Sequence, residues 1–198
     1  MSKLDLSPAE LSVICDKSFL MHKVSIGEKI IQLFQELKSG IKSDSPQVLT
    51  AFPPGLDLSG GKINRGENYN GLAWRALDYP STIQKENIFL FRTLLLWGEG
   101  FFFHLILSGS YLEKYRNVIA TNAEKLGSQG WKLSQQDSPW DWAFDEESHC
   151  EMLNFSPGNW DQDFIKISQK HTLTDFSNIP KKGSTAWRDL SGILFASA

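Results

Sequence analysis

Apolar residues recur at helical spacing near the start of the chain. Residues 7–10, Ser-Pro-Ala-Glu, combine an N-cap hydroxyl, a proline at the first helical position and a capping-box glutamate. A second capping box at residues 25–28 precedes another run with this spacing, and Gly40 stands where a C-terminal cap belongs. The pattern predicts one kinked helix or two consecutive helices over residues 8–39, with Cys15 on the apolar face and therefore in the core.

The spacing of apolar residues changes to that of strands from Lys62 onward. Asn70-Gly71 is a strong signal for a two-residue hairpin turn, because both residues tolerate a positive φ. It predicts that a strand ending at Tyr69 pairs with a strand over residues 72–78. Pro80 is expected to end the second strand, since proline has no N–H for the ladder.

Residues 88–107 form the most apolar stretch, and its twenty residues have the length of a membrane span. Arg92 and Glu99 would each cost about 2.5–3.5 kcal/mol near the centre of a membrane helix. Residues 98–100, Gly-Glu-Gly, also interrupt the run at its middle. We therefore predict two buried strands joined by a tight turn, and no membrane association.

The remaining pattern completes a fold prediction. A third helix is expected over residues 111–126, and a second hairpin joins candidate strands at 150–155 and 164–168. Residues 185–195 suit either a short helix or an edge strand. The predicted class is α+β, with N-terminal helices packed on a mainly antiparallel β-sheet and one long inserted helix, in a single domain over residues 1–198.

Composition and charge narrow the class of protein. The 198 residues are 41% hydrophobic and 22% charged, which are values of a globular chain. A net charge of -3 and scattered lysines and arginines argue against nucleic-acid binding. Two distant cysteines give neither a disulfide framework nor a zinc-ribbon spacing. The first eight residues do not resemble a signal peptide, so we expect a cytoplasmic protein.

Residues 61–71 are polar, mixed in charge and close to the buried strands. They could hold an anion with backbone amides, Lys62 and Arg65, but the pattern favours the alternative of a surface hairpin loop that faces water. Gly61 stands where the lysine of a phosphate-binding P-loop is required, which excludes that motif. The candidate ligand-binding residues are Arg65, Glu67, Asn68, Tyr69, Arg75 and Arg92.

Arg92 and His104 are polar residues within the apolar stretch. The charged guanidinium of Arg92 needs an anionic partner, which Asp78, Glu67 or a ligand could supply. His104 suits a hydrogen-bonded core position or, alternatively, a general base.

The turn between the two buried strands decides whether Arg92 and His104 share a face of the sheet. A three-residue loop at 98–100 would place Leu94 opposite His104, with Arg92 on the same face. A two-residue loop would place Leu95 opposite His104 and turn Arg92 away. Only the first arrangement permits a joint polar site.

Residues 137–151 are acidic and aromatic, and they predict a solvated acidic loop with aromatic anchors. His149 and Glu151 would share one face of a strand, but no second histidine lies at ligand spacing, so no metal site is expected. Enzyme signatures such as GxSxG, HExxH and the dinucleotide-binding glycine motif are missing from the sequence. We expect no cofactor.

Several segments resemble a known group of proteins. They are residues 63–69, 71–74, 77–80, 91–98 and 104–109. They are similar to small uncharacterised bacterial proteins of unknown function found mainly among the Bacteroidetes, over about the central third of the chain. The resemblance implies a bacterial cytosolic protein, but no activity and no catalytic residues.

The leading functional hypothesis is a non-catalytic ligand-binding or interaction protein with a polar pocket beside the sheet and a small anionic ligand. One alternative is a small enzyme that uses His104 or Glu67 as general base and an arginine to stabilise an anion. Another is a homodimeric structural protein that buries the exposed edge of its sheet.

Overall fold

The computed structural model describes residues 4–44, 56 and 59–195, and within them the chain is α+β, as predicted. The helices are α1 (Pro8–Cys15), α2 (Lys17–Asp44), α3 (Ser110–Thr121), α4 (Ala123–Ser128) and α5 (Ile179–Leu194). The strands are β1 (Lys62–Tyr69), β2 (Leu72–Gln84), β3 (Asn87–Leu96), β4 (Gly100–Ser108), β5 (Lys132–Ser134), β6 (His149–Glu151) and β7 (Phe164–His171).

The N-terminal region forms two consecutive helices, one of the two predicted arrangements. The capping box is confirmed, because Glu10 N donates to Ser7 Oγ at 3.3 Å and Ser7 N donates to Glu10 Oε2 at 2.7 Å. Asp16 separates the helices, and its carboxylate accepts a hydrogen bond from Phe19 N. The predicted helix start at 25–28 and end at Gly40 are wrong, since one buried stripe continues through α2 as far as Ile41.

The sheet has the strand order β1-β2-β3-β4-β7-β5-β6, and every neighbouring pair is antiparallel. The predicted Asn70-Gly71 turn is confirmed, and both residues have a positive φ. The predicted end of β2 at Pro80 is wrong. The ladder shifts register between Asp78 and Ser81, so β2 continues past the proline to Gln84.

The apolar stretch forms the predicted pair of buried strands, β3 and β4. Leu96 pairs with Gly100, so the connecting loop is residues 97–99 rather than either predicted loop. Gly98, with φ of +81°, supplies the left-handed backbone at the tip of this turn. Arg92 and His104 are then direct cross-strand partners on one face. Among the described residues, no helix is long and apolar enough to cross a membrane.

The predicted third helix over residues 111–126 lies between β4 and β5 but is wrong as a single helix, because it divides into α3 and α4 at Asn122. The Asn122 side chain donates to the Val118 carbonyl at 2.8 Å, in competition with the helical backbone ladder. The predicted hairpin of 150–155 with 164–168 is wrong, because β6 pairs with β5 whereas β7 pairs with the long buried strand β4. The ambiguous C-terminal segment is the helix α5.

The two faces of the sheet have different coverings. One face packs under α2, α3 and α5, and its contributors to the core include Leu77, Phe91, Phe103 and Ile167. The opposite face is covered at Phe102 by Trp142 and Phe144 of the 135–148 segment. The acidic residues 145–147 are exposed while Trp142 is buried, which confirms the predicted acidic loop with aromatic anchors.

Candidate functional site

A row of polar residues crosses the sheet on the face opposite the helices. Asp78, Arg92, His104 and Ser168 occupy successive cross-strand positions on β2, β3, β4 and β7. All four are buried. The strand register therefore places Arg92 and His104 on one face, which is the condition that the sequence analysis set for a joint polar site.

Arg92 is paired within the protein. Its Nε donates to Asp78 Oδ1 at 2.6 Å and its Nη2 donates to Oδ2 at 2.9 Å, a two-point geometry in which the carboxylate neutralises the guanidinium. Asn64 Nδ2 also donates to Asp78, at 3.0 Å. The guanidinium carbon lies 5.1 Å from the centre of the Trp140 ring. The predicted Asp78 partner is confirmed, and Arg92 needs no ligand to balance its charge.

His104 is a hydrogen-bonded core residue, as predicted. It is 1% exposed, and its Nδ1 lies 2.8 Å from Ser168 Oγ. Burial holds the pKa of His104 well below its usual value, so the imidazole is neutral at neutral pH. Its Nε2 has no hydrogen-bond partner among the described residues. A general base needs contact with its substrate, and this buried ring offers none in the folded arrangement.

Lys166 lies next to this row, and burial lowers its pKa to about 8. Its ammonium donates to Gln136 Oε1 at 3.2 Å and to the Asp141 carbonyl. Tyr69 also reaches Asp141, to whose carboxylate it donates a hydrogen bond. These contacts hold the 135–148 segment against the sheet, so the polar row lies beneath a fixed cover.

The other predicted ligand-binding residues lie elsewhere. Arg65 and Arg75 are direct cross-strand partners on the helix side of β1 and β2. Glu67 is exposed and accepts a hydrogen bond from Lys23 at 2.6 Å, which is the main reason that its pKa is lowered. Asn68 accepts a hydrogen bond from the Gly71 N–H within the turn, so it stabilises the hairpin itself.

The predicted residues therefore divide between the two faces of the sheet. Arg65, Glu67 and Arg75 form a cationic group beside α2, whereas Tyr69 and Arg92 lie on the opposite face. Residues 62–69 form the edge strand β1, which confirms the predicted strand ending at Tyr69 and not the alternative of a surface loop.

A cavity of about 490 Å³ lies under α5 at the end of β7 and was not predicted from the sequence. β5 pairs with β7 only at Ile167 and Ser168, so β7 extends beyond its short neighbour. The cavity occupies this end of the sheet. It is lined by Gln129, Trp131, Gln169, His171, Asn178, Lys181, Lys182, Thr185, Ala186 and Asp189.

Three polar atoms of the cavity residues are buried and have no hydrogen-bond partner in the described part of the chain. They are Trp131 Nε1, Gln129 Oε1 and His171 Nε2. Trp131 is only 1% exposed. Burial lowers the pKa of His171, and the nearby Lys182 lowers it further. The cavity therefore combines a neutral imidazole, an indole N–H donor, an amide acceptor and cationic side chains with largely apolar walls.

The side chains that alternate along β7 contain a sequence signal for this cavity. Ile165, Ile167, Gln169 and His171 project from the same face of the strand, because successive side chains alternate. The first two are core residues and the last two are polar. Polar residues that continue an apolar face indicate where a core gives way to a polar cavity.

No group of three or more histidine, cysteine, aspartate or glutamate side chains in the described chain is arranged to hold a metal ion. Comparison with known proteins finds no matching family model, no matching curated protein and no matching solved structure. Inference about function therefore rests on the geometry of this chain.

Proposed function

We propose that the protein is a non-catalytic binding protein for a small organic anion, which it holds in the cavity beneath α5. The observation that carries the proposal is that Trp131, Gln129 and His171 line one cavity and each has a buried polar atom without a partner among the described residues. A buried polar group without a partner costs about 1–3 kcal/mol. A ligand that pairs with these atoms recovers that cost.

The lining defines the chemistry of the ligand. Lys181 supplies positive charge, whereas Lys182 is paired with Asp175 at 2.9 Å, and Asp189 is the acidic side chain among the lining residues. The indole N–H requires an acceptor, and the Gln129 oxygen requires a donor. A carboxylate or phosphate group on an apolar body, with one hydroxyl or amino group, satisfies all of these. A volume of about 490 Å³ suits a molecule of metabolite size.

The proposal is tested by thermal-shift screening of the full chain, followed by calorimetry. The probes are inorganic phosphate, citrate, aromatic amino and hydroxy acids, and nucleoside monophosphates. A compound present at a hundred times its dissociation constant adds about 2.7 kcal/mol to the free energy of unfolding, which raises the melting temperature measurably. We expect one of the organic anions to do this.

Matched variants then locate the bound compound. Trp131→Phe removes the buried N–H and keeps an aromatic ring, and it should weaken binding about tenfold or more, the loss of one hydrogen bond to an anion. Trp140→Phe is the control on the opposite face of the sheet, where it lines no part of this cavity. Lys181→Gln should also weaken binding, whereas Lys42→Gln at the exposed end of α2 should not.

The predicted cationic group provides the competing location. If Arg65→Ala or Arg75→Ala abolishes binding while Trp131→Phe and Lys181→Gln leave it intact, the ligand lies beside β1 and the cavity assignment is wrong. If no organic anion in the panel binds, the proposed function fails.

A further inference from the structure

The first two helices carry apolar side chains that the described part of the chain does not cover. We define the N-terminal arm as residues 6–26. None of the α1 residues is buried, and the first buried residue of α2 is Gly27. The exposed apolar residues of the arm are Leu6, Leu11, Val13, Ile14, Phe19, Leu20, Met21, Val24 and Ile26, with exposures from 38% to 72%. The prediction that Cys15 lies in the core is wrong, because Cys15 is exposed and no residue of α1 is buried.

Such an arm requires packing to be stable. An isolated helix shorter than about 12–15 residues is marginal in water, and α1 has eight residues. Its capping box supplies local stabilisation only at the first turn. A surface that buries the apolar side chains of the arm would stabilise the helix that presents them.

The area of the arm matches that of a protein interface. Nine large apolar side chains that expose about half of their surface present roughly 800 Å² in total, spread around both helices rather than along one stripe. Each partner of a standard protein interface buries about 800 Å². The arm therefore presents enough apolar surface for a stable complex.

The charges of the arm favour a second copy of the chain over a lipid surface. Glu10 and Asp16 balance Lys17 and Lys23, so the arm is neutral and does not repel another arm. Amphipathic helices that lie on anionic membranes carry an excess of lysine and arginine, which this arm lacks.

An apolar cavity of about 340 Å³ extends this surface at the inner end of the arm. It is lined by Ile26, Lys29, Leu95, Trp97, Gly98, Leu173 and Phe176. A side chain of a second arm that entered this cavity would lengthen the interface toward the body of the protein. The edge strand β1 is a poorer surface for association, because Lys62, Arg65 and Glu67 are exposed along it.

We propose that two copies of the chain form a homodimer in which their N-terminal arms pack against each other around a two-fold axis. Each copy then contributes the same surface, as in most homodimers. This dimer differs from one built by pairing sheet edges, and it is independent of the ligand in the cavity beneath α5.

The proposal is tested by sedimentation equilibrium of the full chain at about 1–100 µM, since association depends on concentration. The expected mass is twice the 22.4 kDa of the chain. The double variant Ile14→Asp, Val24→Glu should sediment as a monomer throughout this range. Both residues are exposed, so circular dichroism should show that the fold is retained. Leu153→Glu, a charge at an exposed apolar residue outside the arm, should remain a dimer.

A spin label on Cys15 gives an independent measurement. Cys15 is exposed on α1, and Cys150→Ser leaves it as the sole cysteine. Double electron–electron resonance should give a defined distance between the two labels in the wild-type arm and none in the double variant. A wild-type protein that stays monomeric, or a double variant that stays dimeric, would overturn the proposal. Binding of the monomer to neutral lipid vesicles through the arm would overturn it as well.

Discussion

The protein contains two buried polar regions that differ in how their polar groups are paired. In the polar row, the charged side chains Asp78 and Arg92 are paired with each other, as is the adjacent Lys166 with Gln136. Only the neutral His104 of the row has a polar atom, Nε2, without a partner in the described chain. In the cavity beneath α5, Trp131 Nε1 and Gln129 Oε1 have none among the described residues. Both regions lie at the sheet, one on each face.

This difference separates a polar region that holds a fold together from one that is available to a ligand. Buried charges are costly unless they are paired, so Arg92 and Asp78 each need the other to be stable in the folded protein. The cavity leaves hydrogen-bonding capacity unused beside an open volume, whereas the unpaired His104 Nε2 of the row lies beneath the 135–148 segment. For both regions, the free energy of unfolding is the quantity to measure.

The largest effect is expected from Arg92→Met. This variant keeps the long side chain but leaves the Asp78 carboxylate buried without its cation, which should cost about 3–5 kcal/mol of the free energy of unfolding. Urea unfolding measures this cost. Arg188→Met is the matched control, because Arg188 is exposed and lies 4.0 Å from Asp189. An exposed pair contributes about 0–1 kcal/mol. Equal costs for the two variants would contradict the role assigned to the polar row.

The Arg92–Asp78 pair also indicates what a sequence can predict. An arginine within an apolar strand must find an anion, so its partner could be named from the nearby acidic residues. The Asn70-Gly71 turn and the β3–β4 hairpin could be predicted for a similar reason, since turn chemistry and strand composition are local.

The cavity could not be predicted in this way. It is formed by Gln129, His171 and Lys181, which lie on separate elements and meet only because β7 inserts between β4 and β5. Periodicity likewise indicates that a helix has an apolar face but not what covers it. That is why Cys15 was assigned to the core although α1 is exposed.

A second, smaller loss of stability is expected when the pH is lowered. Burial lowers the pKa of His104 well below its usual value, and that of His149 to about 4. Both side chains are neutral in the folded protein, whereas the unfolded chain binds protons at a pKa of about 6.5. Stability is therefore complete above about pH 6.5 and is lost as the pH falls toward 4. The His149 shift corresponds to at most about 3 kcal/mol.

His149→Phe tests this pH dependence, because it removes one titrating group and keeps a ring against Phe144. The slope of unfolding free energy against pH between about 6.5 and 4 should decrease in this variant. His22→Gln, at an exposed position on α2, should leave the slope unchanged. A wild-type stability that is flat over this range would show that neither buried histidine is held neutral by the fold.

The smallest effect is the sharpest test of the comparison, because it uses the same substitution in both regions. Gln136 lies beside the polar row and accepts hydrogen bonds from Lys166 and Ser134. Gln136→Met should cost about 1–3 kcal/mol, since it leaves the buried ammonium with one partner fewer. Gln129→Met removes an oxygen without a partner in the described chain together with a long hydrogen bond from Nε2 to Asp189 at 3.4 Å, and because these two effects oppose each other the variant should destabilise the protein by less than about 0.5 kcal/mol. Urea unfolding without added ligand measures both.

If Gln129→Met is as costly as Gln136→Met, the Gln129 amide already stabilises the fold, and it no longer supports the proposal that the cavity binds a ligand. If only Gln136→Met is costly, the unused oxygen of Gln129 is free to bind a ligand at no expense to stability.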